Sequence, residues 1–280
     1  MKETKAEYLP IYKLQPFEDH PFKVTDDEEM DQLVWSILTQ GLLTPLVVRP
    51  LPTGKYEVIS GHRRLHACKK AGIDSVPALI ANMDRDAAAI ALVDSNLHRE
   101  HILPSEKAFA YKLKMDALSH QGTSCQVGTK SRSDESIGEI TGESARQVQR
   151  YIRLTNLIPE ILQMVDDGRI ALTPAVELSY LNKWEQKDLL ETIESEDCTP
   201  SLSQAMTLKA VSQAKELNID RIFDIMTQPK PNQQERIRFD VSDIRKFFPQ
   251  SYTTAKIQKT IYQLLENYQR TWKRSDRNDR

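Results

Sequence analysis

Apolar and polar positions alternate in short runs over the first hundred residues, and this pattern predicts a mixed α/β region. Four runs alternate or are rich in β-branched residues, as strands are: residues 9–14, 46–49, 56–59 and 76–81. Two segments between them have apolar positions at helical spacing: residues 25–40 and 61–71. Thr25 and Glu28 have the spacing of a capping box, while Gly41 and Gly72 are typical helix stops. Asp84 is placed to cap a third, alanine-rich helix.

From residue 104 onward the pattern becomes almost wholly helical. Pro104 suits a first helical position, and apolar residues follow it at helical spacing. Residues 119–133 are rich in Gly, Ser, Thr and Gln, which predicts a loop. Helices resume over 135–226, and 228–234, with its two prolines, is typical of a linker. The last segments predict a strand and a long helix: residues 236–241 and about 254–272.

These patterns together predict an α+β protein in three parts. They are a small α/β domain at 1–100, an all-α domain at 101–227 and a strand–helix unit at 235–280. The length of 280 residues and 39% hydrophobic content are sufficient for such domains. The net charge of −2 excludes a uniformly basic protein, so any DNA binding must come from a local patch.

Cysteine usage and hydropathy predict the compartment. The three cysteines are far apart, which indicates free thiols rather than a disulfide framework or a zinc ribbon. The first residues lack an apolar h-region, and no apolar run approaches the ~18 residues of a membrane span. We therefore expect a cytoplasmic protein without membrane association.

A glycine turn with two arginines lies where a strand passes into a helix. The residues are Ser60, Gly61, His62, Arg63 and Arg64. A helix start leaves backbone N–H groups unpaired and carries partial positive charge, so it favours an anion. The arginines add cationic donors, which makes a phosphate cradle one interpretation. A solvated basic face on a surface helix fits these residues equally well.

Residues 135–154 have the layout of a helix-turn-helix. Ile137 and Ile140 give a short first helix its inward positions, and Gly142 allows the turn. The second helix opens at Ser144 and can present polar side chains to a duplex, where arginine pairs with guanine edges and glutamine with adenine edges. The candidate DNA-binding residues are Ser144, Arg146, Gln147, Gln149, Arg150 and Arg153. An ordinary helical hairpin with an exposed polar face is the alternative.

Several stretches, taken together, resemble the motifs of ParB-type partition proteins in their family order. They are GLLTPLVVR at 41–49, GHRR at 61–64 with Ala67, SNLHR at 95–99 and LPSEKA at 103–108. The helix-turn-helix and residues 168–175 follow in the same order, so the resemblance covers roughly 9–180. One such motif is weak, but this many in the right order are specific.

The resemblance implies a CTP-gated DNA clamp with a ParB/sulfiredoxin-like N-terminal domain. In this family a homodimer recognises an inverted-repeat site in double-stranded DNA, binds CTP, closes and slides, and a ParA-type ATPase is a further partner. By motif match the nucleotide-binding residues are Thr44, Pro45, Gly61, His62, Arg63, Arg64, Ser95, Asn96 and Arg99. Asn96 would lie near the phosphates and Mg²⁺. The implied role is segregation or maintenance of a plasmid, chromosome or mobile element.

Two positions depart from the family motifs. The glutamate before the arginine pair is His62 here, and the glutamate before the asparagine is Ser95. Carboxylates are the usual hard ligands of Mg²⁺ and the usual groups that position an attacking water. We therefore predict slow or absent CTP turnover.

Other hypotheses remain open at this point. The closest is a transcriptional regulator whose degenerate N-terminal domain binds no nucleotide. A sulfiredoxin-like enzyme would need a cysteine where His62 stands, and a nucleotide-dependent kinase of the same fold would need a base near the nucleotide. His62 with His66, and His98 with His101, have spacing compatible with shared metal coordination, but no carboxylate or cysteine completes either set.

The C-terminal helix carries one apolar stripe. Its members are Ile257, Ile261, Leu264, Leu265, Tyr268 and Trp272. A small strand–helix unit cannot bury this stripe alone, so we expect homodimerisation through it.

Overall fold

The computed structural model describes residues 6–97, 99, 101–122, 134, 137–138, 142–228, 244–249, 252–253, 256–257, 259–265 and 267–269. The chain divides into two compact units, Met1–Gln228 and Pro229–Arg280. The division falls at the start of the predicted proline-containing linker. The separation of 1–100 from 101–227 as domains stays a prediction. In the part of the chain that is described, no helix combines the length and hydropathy needed to span a bilayer.

A five-stranded mixed sheet forms the N-terminal part. The strands are β1 Glu7–Pro10, β2 Leu14–Pro16, β3 Leu46–Pro50, β4 Tyr56–Ser60 and β5 Ser75–Ile80. Their order is β1-β5-β3-β4-β2. Strand β3 is antiparallel to β4 and parallel to β5, while the edge strands are antiparallel (β1 to β5) and parallel (β2 to β4). The predicted mixed α/β class of this region is confirmed.

The strand predicted over residues 9–14 is in fact two strands. Strand β1 ends at Pro10, a 3-10 turn covers Ile11–Lys13, and β2 follows. The two strands lie at opposite edges of the sheet, so the chain must cross between them. Proline cannot donate to the strand ladder, and Ile11 N–H bonds Asp74 O at 2.9 Å before the turn.

Three helices pack against the sheet: α1 Glu28–Gln40, α2 His62–Lys70 and α3 Arg85–Asn96. The N-cap of α1 is Asp27, which accepts from Met30 N–H at 2.8 Å, rather than the predicted Thr25. Thr25 instead donates its hydroxyl proton to Asp27. Asp84 caps α3 as predicted, at 2.7 Å from Ala87 N.

The two faces of the sheet have separate cores. Val58 faces a core shared with Met30 of α1 and Ala67 of α2, and all three are fully buried. The next residue, Ile59, faces a second core that contains Leu92 of α3. Successive strand side chains point to opposite faces, so one strand can support both helix layers.

Helix α4, Pro104–Gly122, packs along α3 and joins the sheet to the helices that follow. Ala110 and Ala117 fill the core beneath α3, and the buried Lys114 forms an ion pair with Asp94. The loop predicted from residue 119 therefore begins later, because α4 continues to Gly122. His120, near this end, pairs with Asp86 of α3 at 3.3 Å. Residues 123–133 lie outside the described residues.

One buried carboxylate connects α4, a distant helix and the loop after β2. The side chain of Asp166 is 2% exposed and accepts from Ser105 N at 2.9 Å and Ser105 Oγ at 2.6 Å. Lys23 Nζ lies 3.2 Å from Asp166 and 3.2 Å from Gln163 Oε1. The backbone N–H of Lys23 donates to Glu106 at 2.8 Å. The loop is therefore held by residues that come 83 to 143 positions later.

Six further helices have described bounds in the first unit, and the last five of them share one apolar core. They are α5 Ala145–Arg153, α6 Pro159–Asp166, α7 Leu172–Leu178, α8 Lys183–Glu196, α9 Leu202–Gln213 and α10 Ile219–Thr227. Ile161, Leu178, Leu189, Leu208 and Ile222 are all fully buried in it. The predicted helical character of this region is confirmed.

The second unit is described in part. Residues 259–265 are helical, and Leu264, Leu265 and Tyr268 are each more than half exposed, whereas Ile257 is buried. The predicted strand at 236–241 and Trp272 lie outside the described residues.

Candidate functional site

A cavity of about 180 Å³ opens at the N-terminus of α2. It brings together six of the nine residues predicted to bind nucleotide: Gly61, His62, Arg63, Arg64, Asn96 and Arg99. It adjoins a groove of about 660 Å³ with which it shares Lys23, Arg63 and Arg99. Pockets for small molecules commonly measure ~300–1,000 Å³. The cavity alone therefore suits a phosphate-sized group, and a larger anion would extend into the groove.

The backbone at the cavity mouth requires glycine. Gly61 is the N-cap of α2 with φ of 103°, a left-handed conformation, and no side chain caps the helix. A Cβ at this position would lie 2.6 Å from Leu46 Cδ2 and 3.0 Å from Arg64 NH2. The absence of a side chain leaves the first N–H groups of α2 open to an anion.

The cavity is cationic, and Lys23, Arg63 and Arg64 in its wall contact acceptors within the protein. Lys23, Arg63, Arg64 and Arg99 line it, and of the described residues no carboxylate does. Arg63 pairs with Asp27 at 3.4 Å and with Glu29 at 3.1 Å, both at the start of α1. Both partners are largely exposed to water, which screens the pairs, so each pair adds little to stability. An incoming phosphate would replace them at little cost.

Arg64 is held by backbone rather than by carboxylates. Its NH1 donates to Thr44 O at 2.6 Å and to Pro45 O at 2.9 Å. Burial lowers the pKa of Arg64, but a guanidinium stays charged in proteins. Thr44 and Pro45, both predicted at the nucleotide site, are not in the cavity wall. Their carbonyls instead hold the Arg64 guanidinium in position.

His62, at the position of the glutamate in the family motif, is half-buried, and its surroundings favour the neutral imidazole. Burial, followed by the charge of neighbouring His20, lowers the pKa of His62 to about 3. Its Nε2 accepts from Phe17 N–H at 3.3 Å, and its ring centroid lies 3.7 Å from that of His20. A carboxylate at this position would be negative, so the exchange makes the cavity more attractive to anions.

Ser95 and Asn96 differ in their relation to the cavity. Ser95 is exposed, lies outside the wall and donates its hydroxyl proton to Leu92 O at 2.9 Å. Asn96 lines the cavity, and its Nδ2 donates to Leu92 O at 2.8 Å and to Ser95 Oγ at 3.2 Å. The structure therefore does not place Ser95 at the site, because its side chain bonds back to its own helix.

The residues present do not fit a protein-held Mg²⁺ site. Among the described residues there is no group of three side chains of the His, Cys, Asp and Glu types that could hold a metal. Asn96 offers the cavity one amide oxygen, whereas Mg²⁺ is usually held by carboxylates together with substrate phosphates. The His62 and His66 side chains are not directed toward one metal, because His66 Nε2 instead contacts Asp26 Oδ1 at 3.0 Å. His98 lies outside the described residues.

Helix α5 is the segment predicted as the second helix of the helix-turn-helix. Ser144 is its N-cap and accepts from Gln147 N at 3.2 Å. Val148 is fully buried with Tyr111 of α4 and Ile137. Arg146 and Gln149 are exposed, as predicted. Gln149 Nε2 also donates to Asp134 at 3.2 Å.

The turn before α5 is closely packed. Gly142 has φ of 70°, in agreement with its predicted role. A Cβ on Gly138 would lie 2.4 Å from Glu143 O, so two backbone segments approach here at a distance that only glycine permits. Lys107 of α4 pairs with Glu143 at 2.9 Å, which fixes the turn to the preceding helix.

Two of the predicted DNA-binding arginines are engaged within the protein. Arg150 donates to Gln147 Oε1 at 3.0 Å and to Thr173 Oγ1 at 2.7 Å. Arg153, predicted to point outward, instead stacks over the Tyr180 ring at 3.8 Å, and its Nε is buried. Lys209 lies 3.7 Å from the same ring. The end of α5 is thus turned toward its own domain by cation–π contacts.

Sequence reasoning missed His20, Lys23 and Gly138. His20 and Lys23 lie in an irregular loop without regular periodicity, and no motif assigned them a role. The available signal was Pro16, Pro21 and the histidine two residues before Phe22. These residues indicate only a turn. Gly138 stands in a helical pattern, where a glycine without a capping role is a sign of close backbone approach.

Comparison with known proteins shows the family of this chain. The family described as "ParB N-terminal domain" matches residues 1–97. A probable chromosome-partitioning protein ParB of Vibrio cholerae is 30% identical over 241 residues, covering 85% of this chain and 77% of that protein. The chain therefore belongs to the ParB family of partition proteins.

Two further similarities accompany this one. A nucleoid occlusion protein of a Geobacillus species is 28% identical over 252 residues, which are 88% of this chain and 81% of that protein. A solved structure of C-terminally truncated ParB from Caulobacter crescentus, complexed with CTP-gamma-S, is 27% identical with a TM-score of 0.32. It covers 62% of this chain and 91% of that chain.

Proposed function

We propose that this protein is a sequence-specific DNA-binding partition protein that binds CTP in its N-terminal cavity and acts as a DNA clamp. The observation that carries the proposal is the cavity at the start of α2, where four basic side chains and a glycine-opened helix converge without a carboxylate in the wall among the described residues. Such a site is complementary to a polyphosphate. Family membership makes CTP the nucleotide to test first.

The DNA-binding part of the proposal is supported by α5 and its setting. Val148 fixes one side of the helix in the core, while Arg146 and Gln149 extend from the other side. Relatives with the names of chromosome-partitioning and nucleoid occlusion proteins support a role on DNA. We propose an inverted-repeat site in double-stranded DNA as the target, with α5 in the major groove.

Homodimerisation is part of the same proposal. Leu264, Leu265 and Tyr268 leave more than half of their surface exposed in the single chain. A second copy would cover this apolar surface, and a two-fold dimer matches the symmetry of an inverted repeat. A ParA-type ATPase is a further partner to test, and the replicon served is a plasmid, a chromosome or a mobile element.

The experiment that tests the proposal measures nucleotide binding and turnover together. We expect CTP to bind with at least about tenfold higher affinity than ATP in calorimetry. In the presence of CTP, the two protein copies should become crosslinkable as a dimer only when a selected DNA site is also present. Phosphate release should stay near background, because His62 cannot act as a carboxylate and Ser95 lies outside the cavity. Binding of neither nucleotide would favour the transcriptional regulator, and rapid CTP-specific release would contradict the turnover prediction.

A further inference from the structure

His20 has one ring nitrogen in use and one without a hydrogen-bond partner among the described residues. Its Nδ1 lies 2.7 Å from Phe22 O. A carbonyl oxygen only accepts, so Nδ1 carries the proton and the neutral ring has a bare lone pair at Nε2. His20 also lines the cavity. In its neutral form it cannot donate a hydrogen bond to an anion there.

His62 is in the opposite situation. Phe17 N–H donates to His62 Nε2, which places the ring proton on Nδ1, beside the backbone of Val58. Both nitrogens of His62 are therefore occupied by backbone groups. Of the two stacked imidazoles, only His20 is able to accept a proton without breaking a hydrogen bond.

Charged groups from every neighbouring element determine which form of His20 is stable. Burial lowers the pKa of His20, as does Arg99 after α3, while the bond to Phe22 O and Glu106 of α4 raise it. His62 of α2 lies in ring contact. The other cations of the wall, Lys23, Arg63 and Arg64, add positive potential. In the free protein these groups together favour the neutral form of His20, and a bound polyanion would reverse this balance.

We propose that His20 is a phosphate-binding residue of the cavity that acts only as an imidazolium, taking up one proton at Nε2 when the anion binds. The proton comes from solvent, Nε2–H then donates to a phosphate oxygen, and no covalent bond changes. The inference rests on the proposed function, because it assigns a contact to the same ligand. It adds to the site a residue from outside the family motifs quoted above, and it makes nucleotide binding depend on pH.

The sign of the pH dependence follows from the direction of these shifts. In the free protein the pKa of His20 lies below the ordinary 6.5, and in the complex the phosphate charge raises it. Binding is therefore strengthened as pH falls, by up to about tenfold per pH unit between the free and bound pKa values. The gain is absent above the bound pKa.

The test is calorimetric titration of CTP from pH 6.0 to 8.5 in two buffers of different ionisation enthalpy. The full chain, His20→Asn and the control His66→Asn are compared. Asparagine keeps a donor near Phe22 O but lacks Nε2, and His66 lies on the exposed side of α2 with Asp26 as its partner. The γ-phosphate of CTP itself titrates in this range, and this contribution is common to all three proteins.

We expect the full chain and His66→Asn to take up about half a proton more per CTP than His20→Asn near pH 7. His20→Asn should bind CTP about three- to tenfold more weakly at pH 6.5 and equally at pH 8.5. Identical proton uptake in His20→Asn would overturn the inference while leaving the proposed function intact. Absence of CTP binding by the full chain at every pH would instead refute the proposed function. Ring-nitrogen NMR shifts of His20, free and with CTP, give a second readout that does not depend on the variant's stability.

Discussion

Gly61→Ala is expected to weaken CTP binding about 100-fold or more and to lower the free energy of unfolding by about 2–4 kcal/mol. The backbone at residue 61 has φ of 103°, where an L side chain is strained. The new methyl group would also meet the fully buried Leu46 at 2.6 Å and the Arg64 guanidinium at 3.0 Å. Relief of either contact would move Arg64 or the start of α2.

The matched control for this variant is Gly54→Ala. Gly54 also has positive φ, 76°, but a Cβ there would meet no atom within 4 Å. The free energy of unfolding of Gly54→Ala should fall only by the backbone conformational contribution, about 1 kcal/mol, and this variant should bind CTP normally. Urea unfolding and calorimetric titration of both variants provide the measurements. If Gly61→Ala bound CTP as Gly54→Ala does, the cavity at the start of α2 would not be the nucleotide site.

Arg146→Ala is expected to lower affinity for the protein's selected DNA site roughly 5- to 150-fold, with a smaller loss on random duplex. Arg146 is exposed on α5, two residues before the buried Val148 and on the opposite side of the helix, so truncation changes little within the fold. An arginine in this position can pair with the O6 and N7 atoms of guanine. Loss of such a contact costs ~1–3 kcal/mol of binding free energy. Fluorescence anisotropy at several salt concentrations measures both affinity and preference.

Two further variants serve as comparisons for Arg146→Ala. Arg221→Ala removes an exposed arginine from α10, away from the helix-turn-helix, and should leave site preference unchanged. Arg150→Ala removes the contacts to Gln147 and Thr173 as well as a cation, so its effect combines positioning with binding. Equal losses on selected and random DNA for Arg146→Ala, with a salt slope reduced by about one, would mean that it contacts phosphate rather than a base.

Local rules predicted most of the elements that surround the cavity. The alternation at residues 56–59, the glycine at 61 and the helical spacing after it gave β4, the cap and α2 in the correct places. Asp84 and Ser144 were identified as caps from local sequence alone. These features depend on interactions within four residues, which a pattern records directly.

Contacts between distant segments account for what the pattern did not show. The split of the first strand depends on where β5 lies, and the end of α4 depends on the neighbouring α3. Arg153 was predicted to face outward because Tyr180, 27 residues later, leaves no trace in the local spacing. His20 and Lys23 join the cavity through a loop whose course is set by α2, α4 and α6. No periodicity describes such a loop.

The attachment of Lys23 to Asp166 bears on how this protein can be dissected. A fragment limited to residues 1–97, the stretch that matches the family's N-terminal domain, would lose Asp166, Gln163 and Glu106 as acceptors. It would also uncover the α3 surface that Ala110 and Ala117 now shield from water. A fragment cut at this boundary would thus lose the contacts that hold the loop with His20 and Lys23. It would also expose an apolar surface of α3 that favours aggregation. Fragments for biophysical work should extend through α6.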